Sequence, residues 1–441
     1  MKRDKAFIET WGCQLNYHKS EAITGRLEKE GYEITKNLGE ADLIIFNTCA
    51  VRDRSEEKVI GRIGQIKKER KENSILGLGG CMAQHSGEKL INDQQGIDFV
   101  FGSTNLDEIP ELSKRIQKNN QLISLPDPKG IVNSPFKRNS DFHAWLTISQ
   151  GCSNHCSYCI VPLVTGPLRS REPQEIIQEA KNLIEKGYQE IELLGQNVNA
   201  YGKDRNNSET DFASLLKELA SLEVPRISFT TPHPGDLDRE TLKVMNNNDN
   251  ISRHLHLPLQ SGSNKVLDLM NRGYHRGKYL ELVKTARDFD PDINITTDII
   301  VGHPGEKRKD FEDTLDIVKK VKFGSIYVAK YSPRPGTKSR KMEEKIPLEK
   351  KEKRLEKILK TQKVMNKEEN EKFLGRKTQV LVEGKARNNG SVFGKNEFKK
   401  TTVFPGDESC IGEMVSVEVA RVEGGTLYGQ RRNPDDTNCY T

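Results

Sequence analysis

Gly151-Cys152-Ser153-Asn154-His155-Cys156-Ser157-Tyr158-Cys159 puts three thiols on one short loop at a C-x3-C-x2-C spacing, directly after a predicted strand over 144–148. A mononuclear zinc site normally takes four ligands in C-x2-C pairs, whereas three thiolates on one loop leave one corner of an iron-sulfur cube without a protein ligand. That open corner is where chemistry can occur. The alternative is three chance or structural thiols.

Outward from this loop, a β/α alternation extends along the chain. Strands are predicted over 144–148, 190–194, 226–230, 254–257, 294–299 and 325–329, with helices over 174–185, 212–222, 239–246, 265–270 with 277–287, and 307–321. Six such units predict an open or partial (β/α)6 barrel, whose chemistry sits at the carboxyl ends of the strands. Polar amides, hydroxyls and glycines follow those ends and are suited to an adenosine and an amino-acid end group. The candidate cofactor contacts are Tyr158, Gln196, Asn197, Thr230, Gln260, Ser261 and Arg334. Taken singly, each lies in an ordinary βα loop. His233, His254, His256, His275 and His303 share no short ligand spacing and read as structural or substrate-contacting.

The first 120 residues read as a small α/β domain with a parallel sheet: strands over 6–10, 42–46, 74–78 and 99–102, helices over 20–30, 56–71 and 109–117. Cys13, Cys49 and Cys81 each follow the carboxyl end of one of the first three strands. Those ends share one sheet edge, so the three thiols can converge on a second site; three buried structural cysteines are the alternative. Residues 121–141, rich in Pro, Asn, Ser and Lys, read as a linker to a core over 142–373 that ends in a Lys/Glu-rich helix over 347–373. Five short strands over 378–383, 391–393, 401–404, 414–420 and 426–430 then predict a small all-β barrel within 374–436, an architecture often used to bind oligonucleotides. Residues 433–441 read as a disordered tail.

Composition agrees with this layout. Of 441 residues, 34% are hydrophobic and 30% charged, and no apolar run approaches the roughly 20 residues that span a bilayer. The start, Met1-Lys2-Arg3-Asp4-Lys5, runs straight into a strand without the apolar region of a signal peptide, so the expected compartment is the cytoplasm. Eight cysteines in such a chain are expected to bind metal or react rather than form disulfides. Basic residues exceed acidic ones by 8 between Lys338 and Arg432, while the remainder is short by 2. A surplus so placed suggests a polyanion partner, or a solvated helix face.

Together these motifs resemble, over nearly the whole chain, the MiaB-type methylthiotransferases of the radical S-adenosylmethionine enzymes. The resemblance rests on the Cys152–Cys159 loop, on Thr10-Trp11-Gly12-Cys13-Gln14-Leu15-Asn16, Asn47-Thr48-Cys49 and Gly79-Gly80-Cys81, and on Leu194-Gly195-Gln196-Asn197-Val198-Asn199-Ala200-Tyr201-Gly202, which is similar to the branch acting on isopentenyladenosine in tRNA. It implies an N-terminal iron-sulfur domain, a radical S-adenosylmethionine core and a C-terminal TRAM domain. Two 4Fe-4S clusters are implied, one on Cys152, Cys156 and Cys159 that binds and cleaves S-adenosylmethionine, and an auxiliary one on Cys13, Cys49 and Cys81 that carries sulfur. The implied reaction is radical methylthiolation of carbon 2 of N6-isopentenyladenosine next to the anticodon, using two S-adenosylmethionine. The implied partners are a tRNA anticodon loop, an electron donor and a sulfur source, with the enzyme a monomer off the membrane. Candidate phosphate contacts are Arg376, Lys377, Lys399, Lys400, Arg431 and Arg432, with Phe393 and Phe398 either stacking bases or packing a core. Rival readings are a methylthiotransferase for threonylcarbamoyl-adenosine and a non-catalytic iron-sulfur protein that binds RNA. Where the family commonly reads Y-x-R-G-x-E-x-S-R after the third cysteine, this chain has Thr165 and Leu168 in place of the first Arg and the Glu, and His303 stands where Phe is usual.

Overall fold

A computed structural model describes residues 4–50, 53–93, 96–116, 121–132, 135–205, 210–343, 346–388 and 390–431. Gln117, Arg432 and the tail over 433–441 lie outside them. The chain opens with a six-stranded parallel sheet, in the order Glu33–Ile34, Lys5–Thr10, Leu43–Thr48, Ile75–Gly80, Phe99–Phe101 and Leu122–Ser124. The last of these strands takes residues expected to be linker and pairs Leu122 with Phe99. The register sets Thr10 beside Asn47 and Asn47 beside Gly79, so the three strands that precede cysteines end level.

Two helices of this unit depart from the sequence reading, and both departures have physical causes. The helix expected from residue 20 spans Gln14–Lys29 and begins directly after Cys13. Its first turns bury Asn16, His18, Lys19, Ser20 and Glu21, so apolar periodicity could not reveal them. Helix Cys81–Asp93 lies where the sequence pattern predicts none. It carries Gly87 in its interior, a poor helix former, at a point where a Cβ would meet Val100 Cγ1 at 2.5 Å.

The central unit has six parallel strands, His143–Thr147, Glu190–Leu194, Arg226–Phe229, His254–His256, Asn294–Val301 and Ser325–Lys330, as two three-stranded sheets joined by a bridge between Ile227 and Ile251. Alternation along the strands decides which face is apolar. Ala144, Leu146, Ile191, Leu193, Ile227 and Phe229 belong to one buried core shared with residues of the surrounding helices. The intervening residues are polar: Trp145 Nε1 and His143 Nε2 both lie on Glu192 Oε2, at 3.1 and 3.2 Å. The result is an open (β/α)6 barrel with a polar interior.

Helix Leu348–Glu371 runs alongside strand Ser325–Lys330 and helix Arg308–Val321. It is polar almost throughout, yet buries Ile358 in the central core and Arg354 in an ion pair with buried Glu306. Strands Lys377–Lys385, Ser391–Lys395, Thr401–Pro405, Thr426–Arg431 and Met414–Glu423 then close a barrel in that order. This barrel docks on the amino-terminal ends of the central strands. Arg226 donates to the Lys395 and Gln379 carbonyls at 2.8 and 2.6 Å, Asn294 Nδ2 donates to the Phe398 carbonyl at 2.7 Å, and Lys399 pairs with Glu190. The opposite, carboxyl-terminal ends are left for the cysteine loop.

Candidate active site

The loop from Gly151 to Cys159 is held by four other segments. Gly151 adopts φ +82°, and a Cβ there would collide with the Pro167 carbonyl, so glycine is required. Its N–H donates to Gln196 Oε1 at 2.7 Å. Asn154 Nδ2 donates to Asp236 Oδ2 at 3.0 Å, the Ser157 N–H donates to the Met270 carbonyl at 2.9 Å, and the Ser157 carbonyl accepts from the Ser339 N–H at 2.8 Å. Arg272 Nη1 lies 3.3 Å from both Cys156 Sγ and the Tyr158 hydroxyl. Burial pushes the Cys159 thiol up to about 12 and also raises Cys152. Thiols so shifted are inert until a metal holds their deprotonated form.

The N-terminal trio is built differently, from three aligned strand ends. A Cβ on Gly12 would meet Cys49 Cβ at 2.8 Å, so the first two loops touch. Asn16 Nδ2 donates to the Trp11 and Thr48 carbonyls at 2.9 and 3.0 Å, Asn47 Nδ2 donates to the Asn16 carbonyl at 2.7 Å, and Thr48 Oγ1 donates to the Gly79 carbonyl at 2.5 Å. These bonds tie the three loops into one block. Cys13 caps helix Gln14–Lys29 and Cys81 begins helix Cys81–Asp93, so two of the thiols sit at helix N-termini; burial raises the Cys81 thiol, against the pull of Lys19. Lys19 is buried beside them: desolvation lowers its ammonium, while Cys81, Cys13 and Cys49 act to raise it. Its Nζ donates to the Ser103 carbonyl at 2.7 Å.

The two trios belong to one packed body. Helix Val161–Thr165 leaves the cysteine loop, and Ile160 and Val164 enter the core of the N-terminal unit beside Cys81, Met82 and Ala83. Ser103 Oγ donates to the Val164 carbonyl at 2.6 Å, which links the residue that anchors Lys19 to the segment after Cys159. Thr165 and Leu168, the positions that depart from the family pattern, are both buried here, and Thr165 Oγ1 is turned back onto the Val161 carbonyl at 2.8 Å.

Asn197 Oδ1, Gln260 Oε1 and His233 Nε2 are buried and have no hydrogen-bond partner among the described residues. They come from three successive strand ends, and each unsatisfied atom costs about 1–3 kcal/mol. Gln260 also holds φ +65°, a costly backbone for a residue other than glycine. A cradle of unsatisfied donors and acceptors fits a polar ligand such as a nucleoside with an amino-acid tail. Burial, reinforced by Arg272, pushes the His233 imidazole down to about 3, so it is neutral there. Not every expected contact points inward: Gln196 is engaged by Gly151, and Ser261 Oγ accepts from the Ser263 N–H at 3.3 Å. Thr230 is half-buried, and its carbonyl accepts from Thr231 Oγ1 at 2.6 Å; the buried Arg334 gives its carbonyl to Thr337 Oγ1 at 2.7 Å. Among the described residues, no group of three or more His, Cys, Asp or Glu closes on a single metal ion. A cubane seats each thiolate on a different iron, and an all-thiol donor set suits such a cluster.

Sequence reasoning missed Arg272, Asp236 and Lys19. Asp236 accepts from Lys203, Asn154 and Asn197 at 2.6, 3.0 and 2.7 Å and so joins the cysteine loop to the second and third strand ends. None of the three has a periodic or spacing signal. Of the expected phosphate contacts, Lys377 is exposed and Arg376 pairs with Asp292 at 2.7 Å. Lys399 and Lys400 are turned inward, onto Glu190 and, at 2.6 Å, onto Asn370 Oδ1. Arg431 Nη2 lies 2.9 Å from Cys410 Sγ. Phe398 is core, packed edge-on against Phe373 at 5.0 Å, and Phe393 is half-buried.

Comparison with known proteins matches residues 5–102 to the family described as "Uncharacterized protein family UPF0004", 146–318 to the radical SAM superfamily and 371–431 to the TRAM domain. A Natranaerobius thermophilus protein named tRNA-2-methylthio-N(6)-dimethylallyladenosine synthase is 42% identical over 435 residues, which cover 97% of this chain and 96% of that one. The Bacillus subtilis protein of the same name is 39% identical, with 97% and 85% covered. A radical S-adenosylmethionine methyltransferase from Kitasatospora setae superposes with a TM-score of 0.55 at 13% identity, covering 77% of this chain and 74% of that one, which is a likeness of fold alone.

Proposed function

The chain belongs to the family of the tRNA-2-methylthio-N(6)-dimethylallyladenosine synthases, radical S-adenosylmethionine enzymes, and we propose that it places a methylthio group on carbon 2 of N6-isopentenyladenosine beside the anticodon of tRNA. The observation that carries this reading is the packing of two cysteine trios into one body through helix Val161–Thr165. Radical S-adenosylmethionine enzymes work with a 4Fe-4S cluster and S-adenosylmethionine. Cys152, Cys156 and Cys159 would hold that cluster, and Cys13, Cys49 and Cys81 a second one. When bound, these groups supply one-electron radical chemistry and a sulfur atom for transfer.

The chain's own residues bind, orient and exclude water. Asn197, Gln260 and His233 offer unsatisfied polar atoms to the cofactor, and neutral His233 accepts or donates without bringing charge. Ile160 and Val164 pack a buried apolar seam between the cysteine loop and the N-terminal unit, which keeps water out of the contact that joins the two trios. Lys19 sets a buried amine beside the N-terminal trio, where burial lowers its ammonium and the three thiols act to keep it protonated.

The polymer substrate is a tRNA anticodon loop, whose bases leave their stack readily. The C-terminal barrel matches the TRAM domain, and Lys377 and Arg376 on its rim are the phosphate contacts this reading favours. An electron donor and a sulfur source come from outside the chain, and the protein acts as a cytoplasmic monomer. Among the described residues, no helix is long and apolar enough to cross a membrane.

Nucleoside mass spectrometry of tRNA from cells with and without the gene tests the proposal. The 2-methylthio-isopentenyladenosine pool is expected to vanish without it. An unchanged pool rejects the substrate, and loss of the threonylcarbamoyl derivative instead selects the rival. Failure of the anaerobically reconstituted protein to form 5′-deoxyadenosine selects a non-catalytic RNA-binding protein.

A further inference from the structure

Arg272 is 6% exposed, in the turn between helices Asn264–Leu269 and Arg276–Phe289. Its guanidinium reaches Cys156 Sγ and the Tyr158 hydroxyl at 3.3 Å each, the Tyr274 hydroxyl at 3.2 Å and the Pro258 carbonyl at 3.2 Å, and it lies 5.3 Å over the Tyr274 ring. Among the described residues, no carboxylate pairs with it. Asp236, at the third strand end, is held by Lys203, Asn154 and Asn197. A buried cation with only neutral partners is strongly disfavoured. Its hydroxyl and carbonyl partners are ordinarily neutral near pH 7, whereas metal binding makes Cys156 a thiolate.

We propose that Arg272 is a positioning residue whose counter-charge is the cluster held by Cys152, Cys156 and Cys159: it donates to Cys156 Sγ, fixes Tyr158, and makes the cluster easier to reduce. This inference rests on the reading that the three cysteines hold a 4Fe-4S cluster. The physical argument is electrostatic. Three thiolates leave the assembly anionic, and one-electron reduction makes it more so, so a fixed cation and an N–H donor to sulfur favour the reduced form. Arg272 acts at the loop from the fourth strand end, so the barrel sets the electronic environment of a loop it does not carry.

The test uses the full chain with Cys13, Cys49 and Cys81 replaced by Ala, reconstituted anaerobically with iron and sulfide, so that one cluster reports. Iron content is measured first, then a redox titration is followed by electron paramagnetic resonance. Arg272→Met is expected to make reduction at least tenfold less favourable, ~59 mV for a one-electron couple. Arg272→Lys keeps the charge but loses the planar fork, and should fall between. A cluster that forms in Arg272→Met with an unchanged potential overturns the proposal, because a merely structural residue lowers yield without moving potential. If Arg272→Met takes up no iron, a wild-type potential in Arg272→Lys overturns it instead. Thermal unfolding of the iron-free protein gives a check that needs no cluster: an Arg272→Met variant that melts well below its iron-free parent marks an ordinary fold residue and overturns the inference. A parent that binds no iron overturns the cluster reading itself, a failure distinct from an unchanged potential.

Discussion

Half-buried Lys399 of the C-terminal barrel forms an ion pair with Glu190, the buried first residue of the second central strand. Burial alone would raise the Glu190 carboxyl, but Lys399, His143 and Arg226 outweigh it and hold the group down at about 2. The C-terminal barrel is therefore docked in part through a carboxylate buried at the base of the central barrel.

Lys399→Met should cost about 1–3 kcal/mol, because buried Glu190 loses its closest cation while Arg226, at 3.9 Å, remains. Thermal unfolding and limited proteolysis between the barrels would detect it. In the double variant Lys399→Met/Glu190→Gln most of that loss should be recovered. The pair's contribution is fully present above the unfolded carboxylate value, roughly 4.3, and is lost as pH falls through about 2. An acid limb that is the same with and without Lys399 would show that the pair does not hold the barrel.

His254 predicts a second, milder acid sensitivity. Burial, helped by His256 and by Lys399, Lys400 and Lys395, pushes its imidazole down to about 3. Between roughly 6.5 and 3 the unfolded chain takes up a proton that the folded one refuses, so stability falls with pH across that window. His254→Phe should flatten this part of the stability profile. Thr296 Oγ1 keeps His256 Nδ1 at 2.9 Å as its partner, so the substitution is not expected to unfold the protein.

Cys81→Ala should lose about half of the iron and all methylthiolated product while S-adenosylmethionine is still cleaved to 5′-deoxyadenosine. Cys156→Ala should abolish both products. Iron per chain and chromatography of the nucleoside products check the pair, and a fully active Cys81→Ala enzyme would refute two separate centres.

Asp236→Asn removes the charge that Asn154, Asn197 and Lys203 share. A supporting residue of this kind typically affects ligand affinity by about 10- to 100-fold. S-adenosylmethionine binding to the reconstituted protein should weaken by about tenfold or more, with iron content nearly unchanged; equal affinity would remove Asp236 from the site.

What was legible in the sequence had a local signal. The six central strands and their helices obey simple periods, and the glycine-punctuated strands of the C-terminal barrel alternate; their expected and observed spans differ by a few residues at most. The first turns of helix Gln14–Lys29 carry no apolar period because their buried residues are polar, and helix Cys81–Asp93 is masked by Gly87, whose place is set by Val100 on another strand. Lys399 and Lys400 illustrate the limit for charge. In the sequence they are part of a basic surplus, yet the fold commits both to interior partners.

The sequence by itself determined the six thiols, their order and their places after strands, because those depend on short-range spacing and hydrophobic period. Only the tertiary structure decided what surrounds the Cys152–Cys159 loop. It packs Ile160 and Val164 into the N-terminal core, places Lys19 among three thiols 30 or more residues apart in the chain, and delivers Arg272 to Cys156 Sγ from 116 positions away. Contacts of that separation have no period to read. They follow from which buried charges and apolar faces find one another when the units close.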